Sequence, residues 1–139
     1  MADAVGLTTG GVLVFLAVLH VYWACGGRVG SGVTVPERDA RPLFTPTRGA
    51  TLVVAGLLLA DALLLWGRVA RWESVAPAWV FETAAGGSSA LFFARAVGDF
   101  RWVGFFKRRR GTAFARLDTW LYSPLSAALA LGCLIVACR

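Results

Sequence analysis

The sequence predicts an all-α polytopic membrane protein, a bundle of four transmembrane helices with both termini outside. Three observations predict it. Apolar residues make up 58% of the 139-residue chain and the mean hydropathy is +0.67, more apolar surface than the polar remainder could cover in water. Those residues gather in four segments near the ~20 residues that a hydrocarbon crossing needs. Basic residues crowd into two of the three connectors, as expected of loops retained in the cytoplasm. The chain reads as one domain in the plasma membrane, with spans at about 7–25, 49–67, 76–99 and 117–137.

The first span, Leu7 to Cys25, follows six residues without Lys or Arg. A secretory signal would carry a basic start, so a retained helix is expected. Residues 26–48 form a connector in which Pro36, Pro42 and Pro46 forbid a continuous helix. The second span is rich in Leu and Ala and broken once by Asp61. The third carries Glu82, Arg95 and the run Ala84 to Ala90, whose small residues suit close helix packing in lipid. Its charges make it the weakest of the four. Ser123 and Pro124 read as an N-cap and a first-turn proline, where the last helix would restart.

Arg101 to Arg116 holds six basic residues and residues 26–48 hold four. The N-terminus has none, the second connector two and the C-terminus one. This asymmetry puts both basic loops inside and both termini outside. Lys107 to Arg110 reads as an anchor at anionic lipid headgroups. Although the net charge is +6, no nucleic-acid-binding motif accompanies it, so no nucleic-acid partner is expected. Cys25, Cys133 and Cys138 have neither disulfide nor metal spacing. The single His cannot make a two-histidine haem site. No metal and no cofactor are expected.

Two polar layers remain inside the bundle. Toward the basic loops lie His20, Arg95, Asp99, Asp118 and Tyr122, with Trp23 nearby. Arg95 and Asp99 stand at i and i+4, so they are expected to pair. Toward the other face, Asp61 and Glu82 fall at similar depth by residue count. A carboxylate in hydrocarbon must be paired, wet or protonated. If these two meet, they can share a proton and act as acid and base.

His20-Val21-Tyr22-Trp23 with Gly26-Gly27, Val35-Pro36-Glu37, the block Arg95 to Lys107 and the block Phe114 to Leu125 resemble small bacterial membrane proteins grouped as domain of unknown function 3995. The resemblance spans nearly the whole chain. It implies a four-helix membrane protein, places the shared pattern on His20, Tyr22, Trp23, Arg95, Asp99, Asp118 and Tyr122, and implies no activity. Asp61 and Glu82 lie outside that pattern.

The expected activity is therefore acid–base isomerisation or cyclisation of an apolar, prenyl- or lipid-like molecule. Asp61 and Glu82 are the candidate catalytic pair, and His20, Arg95, Asp99, Asp118 and Tyr122 the alternative cluster. Trp23, Trp66, Trp79 and Phe81 are the aromatic groups expected to meet the substrate and stabilise cationic character. The alternatives are a non-catalytic module that binds lipid or supports a larger complex, and a small proton-coupled transporter. Expected partners are membrane lipids, a lipophilic substrate and a second copy of the chain in a homo-oligomer.

Overall fold

A computed structural model describes residues 1–38, 41–72 and 74–139. Four helices dominate: α1 (Ala2–Ala24), α2 (Arg48–Ala70), α3 (Ala78–Val97) and α4 (Ala113–Ala137). Their boundaries follow local chemistry. The Thr47 side chain accepts the Ala50 N–H at 3.2 Å and starts α2. Gly98, at φ +88°, ends α3 in a backbone conformation open mainly to glycine. Thr112 caps α4 by accepting the Ala115 N–H at 3.0 Å.

The helix expected to restart at Ser123 instead begins at Ala113 and runs through. It does so by widening: residues Asp118–Tyr122 form a π turn just before Pro124. Pro124 has no N–H for the carbonyl four residues back, and a wide turn relieves that mismatch. Ser123 caps nothing; its hydroxyl is buried without a hydrogen-bond partner.

Adjacent helices run antiparallel, with α1 against α2 and α3 against α4 as the most extensive pairs. Small residues line the interior: Ala17, Ala55, Ala62, Ala85, Ala96 and Ala130 are all buried, around Leu13, Leu65, Cys133 and Val136. The small-residue run on α3 does pack. Ala85 and Ser89 are buried, and the Ser89 hydroxyl donates to the Ala130 carbonyl at 2.8 Å. Large apolar side chains point outward instead, among them Phe15, Leu57, Leu91, Phe93 and Leu131. Small inside and large outside is the packing of helices whose solvent is lipid.

α1, α2 and α4 are long and apolar enough to cross a membrane. α3 forms where the third span is expected, but is not among them, because Glu82, Arg95, two glycines and two serines dilute its apolar run. Asp3 and Arg139 form an ion pair at 2.6 Å, so the two chain ends meet at one end of the bundle. Arg139 also donates to the Arg68 and Val69 carbonyls, closing the end of α2.

The long connectors meet at the opposite end. Residues 26–47 are more than a tether: Ser31–Val33 make a short 3-10 turn, and Glu37–Arg38 pairs antiparallel with Arg41–Pro42. The Tyr122 hydroxyl donates to the Val33 carbonyl at 3.2 Å, pinning this connector across the start of α4.

Candidate functional site

The two-connector end is built around Asp118, which is fully buried on the π turn of α4. Its Oδ1 accepts Arg95 Nη2 at 2.8 Å. Its Oδ2 accepts the Gly104 N–H at 2.8 Å and stands 3.0 Å from Lys107 Nζ. Lys107 is only 2% exposed, and its ammonium also donates to the Gly104 carbonyl and the Thr119 hydroxyl. One carboxylate thus ties α3, the 98–112 loop and α4 together.

Two expectations are corrected here. Arg95 pairs with Asp118 and not with Asp99. α3 ends at Val97 and Gly98, at positive φ, turns the chain off the helix, so Asp99 leaves the helical face on which an i,i+4 partner would sit. Asp99 instead organises the loop, its Oδ1 accepting the N–H groups of Arg101, Trp102 and Val103 at 2.9, 2.6 and 2.9 Å. Desolvation raises the Asp99 carboxyl, but the Trp102, Val103 and Arg101 N–H groups outweigh that and hold it below its ordinary value. Lys107, expected at lipid headgroups with Arg108 to Arg110, is buried while those three arginines are exposed.

The loop closes on itself at two glycines. Gly98 and Gly104 lie back to back at φ +88° and +90°. A Cβ on Gly104 would overlap the Val97 carbonyl and Gly98 Cα, and one on Gly98 would overlap the Val103 carbonyl. That close approach lets the Gly104 N–H reach Asp118.

Beneath the 26–47 connector opens a cavity of about 900 Å³. His20 and Trp23 line it from α1, Arg95 from α3, Thr51 and Val54 from α2, and Phe44 from the connector. The His20 Nδ1 lies 2.7 Å from the Leu16 carbonyl. A carbonyl can only accept, so Nδ1 carries the hydrogen and Nε2 of the neutral ring is left as an acceptor. The ring stands edge-on to Trp23 at 5.2 Å between centroids. Trp23 Nε1 donates to the Val29 carbonyl at 2.8 Å, so its apolar face is what it offers.

Of the inner cluster, His20 and Arg95 share this cavity with Trp23. Asp118 stands behind Arg95, Tyr122 holds the connector, and Asp99 holds the loop.

The other pair is not brought together. Asp61 accepts the Ser88 hydroxyl, and Glu82 takes Arg68 at 2.9 Å. Arg68 follows Asp61 by seven residues, about 10 Å along α2, so the two acids sit at different depths. Counting residues from assumed span ends missed the register between α2 and α3. The aromatic groups are also dispersed. Trp66 donates to the Leu7 carbonyl, Phe81 is buried against Gly67, and Trp79 is exposed.

Sequence reasoning missed Lys107 as a buried cation and Gly104 as its neighbour. A signal existed: Lys107 is the only lysine beside thirteen arginines. A compact ammonium fits an enclosed three-acceptor site that a planar guanidinium would not. Among the described residues no His, Cys, Asp and Glu cluster has the makings of a metal site.

Helices with outward apolar faces, three of them able to cross a membrane, joined by a charged, loop-covered end, define a small helical membrane protein. The chain belongs to the family described as Protein of unknown function (DUF3995), whose model matches residues 13–133. No curated protein and no solved structure matches it.

Proposed function

We propose that this protein is a non-catalytic membrane module that holds one lipid-like amphiphile in the cavity under the 26–47 connector. The cavity carries the reading. Its volume is in the range of small-molecule sites, and it joins an apolar wall to a few convergent polar groups. Arg95, which lines it, is anchored from behind by Asp118, so the bundle end is held in place around the cavity.

Photolabelling tests this. A dodecyl diazirine probe in reconstituted bilayers should mark Trp23, Phe44 and Val54 above the outward faces at Leu57 and Leu131. Val54→Trp pushes a bulky ring into the cavity wall and should lower labelling at Trp23 and Phe44 with the melting temperature retained. Even labelling of all apolar faces, unaffected by Val54→Trp, would contradict the reading.

The module is proposed to cross the plasma membrane four times with both termini outside. The meeting of Asp3 with Arg139 supports an even number of crossings, and the ten basic residues of the two long connectors support their cytoplasmic placement. Reporters fused to either end should give the same external signal. Opposite signals would remove the fourth crossing.

A second reading, acid–base chemistry on a lipophilic substrate, is favoured by one observation. Asp61, partly buried in an apolar helix, has a hydroxyl as its hydrogen-bonding partner and forms no ion pair among the described residues. Such a carboxyl can carry a proton.

A further inference from the structure

We infer that the cavity is selective for an anionic head, a carboxylate or phosphate carried on an apolar tail, and that Arg95 is the residue that recognises it. The inference rests on the cavity reading above and goes beyond it by assigning the charge of the ligand. Its basis is the imbalance at Asp118. Two cations, Arg95 and Lys107, share one carboxylate. Among the described residues no other carboxylate is ion-paired with either cation. Asp99, the nearest acid in sequence to Arg95, is exposed and commits its Oδ1 to three loop N–H groups.

Within the Asp118 cluster one positive charge is therefore left over. The geometry decides where it is expressed. Lys107 is enclosed, with the Gly104 carbonyl, Thr119 hydroxyl and Asp118 around its ammonium. The Arg95 side chain is 35% exposed and lines the cavity. Only Nη2 of its guanidinium reaches Asp118, and Nη1 is buried with no hydrogen-bond partner. Arg95 is thus a cation held at its back by Asp118 and partly open to the cavity. A carboxylate or phosphate is the complement of that charge.

The rest of the lining fits the same ligand. His20 lines the same cavity and adds a second polar group beside Arg95. Phe44, Val54 and the Trp23 face suit an alkyl tail.

Competition against the diazirine probe tests the inference with dodecyl phosphate, dodecanol and inorganic phosphate on the full-length protein in bilayers of neutral lipid. Dodecyl phosphate should displace the probe at about tenfold lower concentration than dodecanol, or better. Inorganic phosphate should be far weaker than dodecyl phosphate. Arg95→Gln leaves Lys107 and Asp118 as a neutral pair and should erase the preference, whereas Arg95→Lys keeps most of it.

Equal displacement by dodecyl phosphate and dodecanol would overturn the charge assignment while leaving the cavity reading in place. Displacement by neither would overturn both. Inorganic phosphate as effective as dodecyl phosphate would overturn the amphiphile and leave a free-anion site. The wild-type comparison holds even if Arg95→Gln fails to fold.

Discussion

Asp118→Ala should destabilise the protein by about 3–5 kcal/mol, the range for removing one partner of a buried charge cluster. The substitution leaves the enclosed Lys107 ammonium and the Arg95 guanidinium facing each other without the carboxylate, and orphans the Gly104 N–H as well. It should be read as a collapse of monodisperse protein on size exclusion and a sharp fall in melting temperature. Lys107→Met is the informative comparison. It leaves Arg95 and Asp118 as a neutral pair and keeps most of the buried stem volume, so its cost should be clearly smaller. Asp118→Ala with Lys107→Met should recover part of the loss, a coupling of about 1–3 kcal/mol. An Asp118→Ala protein that melts within a few degrees of wild type would show that the cluster is ornamental.

Gly104→Ala should also be strongly damaging at this end. Its φ of +90° costs a side chain about 1–2 kcal/mol. The new Cβ also meets the Val97 carbonyl and Gly98 Cα, backbone atoms at the end of α3 that cannot swing aside. Moving the loop outward instead breaks the Gly104 N–H bond to Asp118 and uncovers Lys107. Gly111→Ala is the control. Gly111 has φ +100° but open space around its Cβ position, so it carries the conformational cost alone. Thermal melts should therefore separate the two variants by at least about 1–2 kcal/mol. Equal losses would mean that Gly98 and Gly104 do not hold the loop against the helix.

Much of the helical framework was legible in the sequence because membrane spans are written in composition and length. Leu7 to Cys25 and Gly49 to Gly67 each lie almost wholly inside an observed helix. The small-residue face on α3 was legible for a similar reason, since backbone proximity in lipid demands small side chains. What stayed hidden was long-range. Asp99 was the local partner for Arg95 by helical spacing, but the helix stops two residues short of it and the real partner lies 23 positions away. The separation of Asp61 from Glu82 depended on the register of α2 against α3, which residue counting does not fix. The cavity was invisible because its roof, residues 26–47, is positioned by contacts such as Tyr122 to Val33, 89 positions apart. Lys107 sits in a basic run whose other members are exposed, yet its burial depends on the fold of the loop around Gly98 and Gly104.

The most direct test of the account is the experimental structure of the protein extracted with native lipid and crystallised in a lipidic mesophase. The account predicts elongated density under the 26–47 connector, its polar end at Arg95 and its tail along Trp23, Phe44 and Val54. A connector collapsed onto His20 and Arg95, with no density between them, would contradict it.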